Sequence, residues 1–203
     1  NVIYWKALHE MAAAARRYGK TEAHARFAAR AAHVKEAINR HFWRPDLGYF
    51  ITSQVFDNLS SSGNLLAIAW SLATPQQAHA ILDAMRFYDM ASPVPTQAVH
   101  RAYPNNFIAL ENRLSGITQY HTHFAWLWLG AWHVIALTRM GRLEEARELI
   151  YRMSRVIVRD GAVHEVYAPN GRFASNLWYT SEAPLTWSAG MYVYASQVYR
   201  RHT

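Results

Sequence analysis

Residues 121–158, HTHFAWLWLGAWHVIALTRMGRLEEARELIYRMSRVIV, decide the fold class. From Phe124 to Leu137 runs the longest apolar stretch of the chain, 14 residues that include His133. It is too short to span a bilayer and reads instead as a helix, His121 to Met140, buried on every face. Gly141 stops it. From Leu143 to Val158 the apolar residues fall at helical spacing, Ala146, Leu149, Ile150, Met153 and Ile157, and define an amphipathic helix. The tight turn between the two makes them an antiparallel pair.

The same alternation extends in both directions. Toward the N-terminus, Asn1 to Tyr18 is apolar and Ala-rich and is stopped by Gly19. Thr21 opens a long helix with the stripe Phe27, Ala31, Val34, Ile38 and Phe42. Residues 43–62 read as a loop with a turn at Pro45-Asp46-Leu47-Gly48, followed by a short apolar helix, Asn64 to Ala73. Thr74-Pro75-Gln76-Gln77 is a restart signal, with Thr at the N-cap, Pro at the first helical position and Gln placed for a capping box. Its helix runs to about Phe87. Met90 to Gln119, with Pro93, Pro95 and Pro104, is the longest irregular stretch, and loops of that length inside a compact domain are usually functional. Toward the C-terminus, Asp160 to Glu182 is a second long loop, and Pro184 opens a last helix, Leu185 to about Tyr199. Seven helices alternate between tight turns and long loops, within one domain covering residues 1–203. Paired helices of this kind stack as a solenoid or close as a toroid, with the long loops gathered at one end. No self-similar repeat of fixed period is present.

Composition narrows the function. Half of the 203 residues are apolar, and there are 8 Trp, 12 Tyr and 8 Phe, many beside Gly, Pro, Asn or His. Aromatic faces suit the apolar C–H faces of sugar rings. With no cysteine, disulfide frameworks and thiolate chemistry are excluded. That, and the absence of a charged-apolar-small leader pattern at the start, fits a cytoplasmic protein. The net charge of +7 comes mostly from arginines interleaved with glutamates, as in Arg142, Glu144, Glu145 and Arg147, so neither a nucleic acid nor a membrane is expected as partner.

Glu165 is the sharpest catalytic candidate, in the loop Gly161-Ala-Val-His-Glu-Val-Tyr-Ala-Pro-Asn-Gly171. A carboxylate in a loop can hold a water and draw off its proton. The segment Glu165-Val166-Tyr167, Gly171 and Pro184-Leu185-Thr186-Trp187-Ser188-Ala189 resembles the end of glucoamylases and related α/α-toroid glycosidases, the amylo-α-1,6-glucosidase (glycogen-debranching) type among them. Phe56-Asp57 with Gly63-Asn64-Leu65-Leu66-Ala67, and Tyr120-His121 with Trp126-Leu127-Trp128-Leu129-Gly130, are similar to two further segments of those families. In the second, Thr122, His123 and Leu127 depart from the family pattern of Asn-Gly and Pro. Asn1-Val2-Ile3-Tyr4-Trp5-Lys6 looks like the helix that follows the general-acid loop.

The resemblance implies an all-α, six-hairpin α/α toroid. Twelve helices complete such a ring, so seven correspond to an incomplete barrel, roughly its C-terminal half. It implies hydrolysis of α-glucosidic bonds with inversion, with Glu165 as general base, Glu182 as second choice, and the general acid upstream of Asn1. Asp57, Asn64, Tyr120, His121, Trp126, Tyr167, Trp178 and Trp187 are the residues expected at an oligosaccharide or glucoside. Inversion requires two carboxyls about 6.5–9.5 Å apart, so this chain alone is expected to turn over little substrate; Asp57, Asp89 and Glu111 are the other carboxyls that could serve. No cofactor is expected, and His121 and His123, although a His-x-His pair, lack a third metal ligand at a recognisable spacing. Two other readings stay open. Sugar 2-epimerases use the same toroid with catalytic histidines, for which His121, His123 and His164 are candidates. A non-catalytic fragment would bind sugar, its missing half, or a second copy across the open barrel edge.

Overall fold

A computed structural model describes residues 1–203. The chain is helical: α1 (Val2–Arg17), α2 (Thr21–Phe42), α3 (Ser61–Ala69), α4 (Pro75–Phe87), the short α5 (Leu110–Leu114), α6 (Leu127–Arg139), α7 (Leu143–Asp160) and α8 (Thr186–Arg200). Four two-residue strands, β1 (Trp43–Arg44), β2 (Tyr49–Phe50), β3 (Ala125–Trp126) and β4 (Val166–Tyr167), lie in the loops.

The helix signals act through identifiable groups. Gly19 and Gly161 take positive φ of 67° and 69° where α1 and α7 end, a conformation that costs glycine nothing. At the start of α4 the Gln77 amide N–H donates to the Thr74 hydroxyl at 3.2 Å, and the Thr74 N–H donates to the Gln77 side chain at 2.9 Å. This reciprocal cap stabilises by about 1 kcal/mol.

α3 and α6 pack side by side, and almost all of their residues are buried. α4 lies against α3, α7 covers α6, and α8 packs along α6 on its other flank. α1 pairs with α2 and touches α3. Gly130 shows how tightly α6 is held: a Cβ there would lie 2.7 Å from the Pro95 carbonyl oxygen and 2.8 Å from Met153 Sδ. The two flanking helices keep apolar residues in the open. Ile3, Tyr4 and Met11 on α1 are about half exposed, as are Trp187, Val193 and Tyr194 on α8.

The elements differ in places from those expected; α3, for one, runs from Ser61 to Ala69 rather than from Asn64 to Ala73. α6 begins at Leu127 rather than His121, because residues 121–123 form a turn and Ala125 and Trp126 are extended and pair on both sides. β3 is antiparallel to β4, with Trp126 opposite Val166. On its other side the Trp126 N–H donates to Thr96 O at 3.0 Å and the Val99 N–H to Thr122 O at 2.9 Å. The long loop 90–119 also holds a 3-10 turn (Asn105–Phe107) and α5, which local composition did not mark.

These pairings run on through Ile51 with Leu59, Ser60 with Val99, Gln97 with Ala125, Tyr167 with Phe173 and Ser175 with Thr180. The loops thereby form one hydrogen-bonded belt. It leads into the N-termini of α3 at Ser61 and α6 at Leu127, and α8 starts just beyond it at Thr186. Backbone N–H groups at helix N-termini are unpaired donors carrying partial positive charge, so polar ligands are best received at this end.

Candidate active site

Glu165 lies on this belt. Its backbone N–H donates to Glu182 O at 2.9 Å, and its neighbours Val166 and Tyr167 form β4. The side chain is half-buried. The Tyr120 hydroxyl donates to Glu165 Oε1 at 2.7 Å, and the Tyr179 hydroxyl donates to Oε2 at 2.8 Å. Each carboxylate oxygen is therefore held by one neutral donor, and no cation pairs with it. Burial, with the adjacent Glu165 carboxylate next in importance, pushes both tyrosines well above their ordinary range. They stay protonated and donate.

An aromatic series leads away from the carboxylate. Tyr120 meets Trp126 edge-on at 4.9 Å, and the Trp126 indole N–H donates to Tyr120 O at 3.2 Å. His121 stacks on Trp126 at 6.2 Å with the rings nearly parallel. Trp126 meets Trp128 edge-on at 6.4 Å, and Trp128 stacks on Trp187 at 4.9 Å. Trp128 and Trp187 then line a groove of about 580 Å³ together with Trp70, Trp132, Ser60 and Ser62. It opens where α1, α3, α6 and α8 begin. This arrangement joins a carboxylate and an apolar wall with hydroxyls at its rim, the combination that a sugar's two kinds of surface require.

Tyr120, His121 and Trp126, drawn from the sequence, are gathered here with Glu165. Glu182 is exposed and next to Glu165 through the backbone pair. Trp178, 76% exposed, sits beside Tyr179 at the tip of the hairpin closed by Ser175 and Thr180. Trp187 is 61% exposed on α8.

Two expected substrate contacts are corrected, and a third is placed apart from Glu165. Tyr167 is fully buried within the core, because it faces inward from β4, and no sugar reaches it. Asn64, 1% exposed, spends its side chain on the backbone: the Phe50 N–H donates to Oδ1, and Nδ2 donates to Phe50 O and Ser60 O, each at 2.9 Å. It pins β2 to the start of α3. Asp57 is on the belt but apart from the Glu165 cluster, paired with Arg101, which also donates to Asn58 Oδ1 at 3.1 Å.

Of the other candidates, His164 is buried, stacked on Phe173 at 4.1 Å and hydrogen-bonded to Ser181 O. Asp89 lines a separate cavity with His133 at the far end of α4, and Glu111 is exposed on α5. No three His, Asp or Glu side chains converge as metal ligands, and no helix is long and apolar enough to cross a membrane. Trp128, quoted above only as part of a motif, and Asn176 had been given no place in the site. Asn176 carried a recognisable mark, an Asn in a loop where its side chain can cap a turn.

Comparison with solved structures decides the fold. A rhamnosidase from Klebsiella oxytoca with rhamnose bound superposes with a TM-score of 0.64 at 17% identity, over 94% of this chain and 32% of that one. The neutral trehalase Nth1 from Saccharomyces cerevisiae gives a TM-score of 0.57 at 19% identity, over 88% of this chain and 32% of that one. The fold is that of the α/α-toroid, six-hairpin glycosidases. This chain spans about a third of the length of each of those proteins. A family model, the bacterial alpha-L-rhamnosidase six-hairpin glycosidase domain, matches residues 1–92. No curated protein matches.

Proposed function

We propose that this domain takes part in the hydrolysis of α-linked glycosides with inversion, and that Glu165 is the general base. The observation that carries this reading is the carboxylate held by Tyr120 and Tyr179 at the loop end of the toroid. In such a reaction the base removes a proton from the water that attacks the anomeric carbon. Two hydroxyl donors fix the plane of the carboxylate and leave its charge uncancelled. Lone pairs remain on both oxygens for a water. Proton donation to the leaving oxygen needs a second carboxyl, and the loops that build the cluster carry only Glu111, exposed on α5, and Glu182 besides Glu165.

The sugar proposed is a 6-deoxyhexose of the rhamnose type. The family match to a bacterial alpha-L-rhamnosidase domain and the fold of a rhamnose-bound structure support it over the glucoside suggested by sequence alone. A basic iminosugar mimics the charge that develops at the ring in the transition state, and it binds without turnover. Calorimetric titration of this chain with a rhamno-configured iminosugar is expected to show binding that Glu165→Gln strongly weakens and a gluco-configured analogue does not match. Equal affinity of wild type and Glu165→Gln contradicts the assignment of the base; stronger binding of the gluco analogue contradicts that of the sugar.

A further inference from the structure

Glu165 is approached from two loops, which also meet in a small apolar cluster of Ile117, Phe124, Val166 and Ala174. One, residues 110–120, carries Tyr120; the other, the hairpin 173–181, carries Tyr179. They are joined at Glu165 through the two hydroxyls. They are joined a second time by one side chain. Asn176 Nδ2 donates to Ser115 O at 3.0 Å, while Asn176 Oδ1 accepts the Trp178 N–H at 2.7 Å and the Tyr179 N–H at 2.9 Å. The Asn176 N–H in turn donates to Tyr179 O at 2.8 Å.

We propose that Asn176 is a positioning residue for Glu165, setting the spacing of the two tyrosine-bearing loops so that both hydroxyls reach the carboxylate at once. Every polar atom of its amide is used on this task, with the acceptor turned into its own hairpin and the donor toward the opposite loop. The fit on the far side is close. Gly116 has φ +68°, and a Cβ there would come within 3.3 Å of Asn176 Nδ2. The circuit closes through the Tyr120 N–H, which donates to Ile117 O at 3.0 Å, so the Tyr120 loop is itself folded onto the segment that Asn176 grips. A shift of either loop lengthens one phenol-to-carboxylate bond, and misplacement on the scale of 1 Å is costly to catalytic groups.

This inference rests on the reading of Glu165 as base for its functional meaning, though not for its geometry, and two readouts separate them. The first is alkaline ultraviolet titration of the tyrosines. In wild type, Tyr120 and Tyr179 resist ionisation; in Asn176→Ser, whose uncharged hydroxyl still accepts within the hairpin but does not reach Ser115, at least one of them is expected to titrate at lower pH. Asn176→Ala, which loses both, should extend the effect. Far-ultraviolet circular dichroism and the melting curve establish that each variant is folded. The second readout is iminosugar affinity, expected to fall about fivefold in Asn176→Ser, as for the loss of one hydrogen bond's worth of alignment. Unchanged tyrosine titration in both folded variants overturns the positioning role. Altered titration without any iminosugar binding in wild type keeps Asn176 as the organiser of the cluster and overturns the reading of Glu165 instead. Altered titration with unchanged affinity shows that the spacing it sets does not matter to ligand, which also overturns the proposal.

Discussion

Glu165 and Asp57 stand on the same belt of paired loops, and both drew attention in the sequence, yet their surroundings are opposite. Glu165 is half-buried and accepts hydrogen bonds from two neutral phenols. Asp57 is exposed and paired with the Arg101 guanidinium. A phenol donor orients a carboxylate and leaves its negative charge in place, available to a proton or to a cationic transition state. A guanidinium cancels that charge. Asp57 fastens its loop: Arg101 O also accepts from Asn58 Nδ2, and Asp57 O accepts the Tyr49 hydroxyl at 3.0 Å. Under the proposed function, the charge of its partner is what separates the reactive carboxylate from the structural one.

The contrast predicts a graded set of effects. Glu165→Gln is expected to weaken binding of the rhamno-configured iminosugar by on the order of a hundredfold, about 2–3 kcal/mol, the range for a charge-assisted hydrogen bond. Calorimetry reads this directly, and a loss under threefold would place the ligand elsewhere. The double substitution Tyr120→Phe with Tyr179→Phe keeps the rings and removes the donors, and should cost about tenfold by the same measurement. If affinity is retained, the phenols are packing groups only.

A third test uses alkaline pH. Tyr120 and Tyr179 ionise later in the folded chain than the unfolded value of about 10, so above that pH the unfolded chain releases more protons than the folded one. Stability contributed by the clamp is complete below about pH 10 and is lost as pH rises beyond it. Glu165→Gln removes the neighbouring charge that supports the shift and should flatten this alkaline decline in denaturant unfolding curves. Asp57→Asn provides the control. Tyr49, near Asp57, is pushed up to about 12 chiefly by burial, with Asp57 only a minor contributor, so its titration should hardly move. The smallest effect is predicted for salt and for Asp57→Asn on ligand affinity: within twofold, because an exposed ion pair is worth little and is screened. A change as large as that of Glu165→Gln would reverse the assignment of the two carboxylates.

The helices were legible because each signal is local. The all-round apolar run of α6, the stripe of α7 and the Thr74 capping box depend on residues within a turn or two of each other. The short α5 and the late start of α6 escaped for the converse reason. His121 to Trp126 has helical composition, but its backbone is claimed by Thr96, Val99 and Val166, which are distant in sequence. The site divides in the same way. Glu165 stood out by its loop and its resemblance to known segments, and Tyr120 by its neighbours. Tyr167, Asn64 and Asp57 sat in equally suggestive motifs, but their roles are set by what folds against them, a core, a strand and an arginine. Asn176 belongs to no motif, and only the meeting of two loops shows what it holds.

The position of a bound transition-state mimic tests the role of Glu165 most directly. In a crystal structure of this chain with the rhamno-configured iminosugar, the ring nitrogen is predicted to lie within hydrogen-bond reach of the Glu165 carboxylate, with Tyr120 and Tyr179 still donating to it and the sugar ring against the aromatic series that begins at Trp126. A ligand seated beside Asp57 and Arg101, or in the groove with Glu165 untouched, would contradict it.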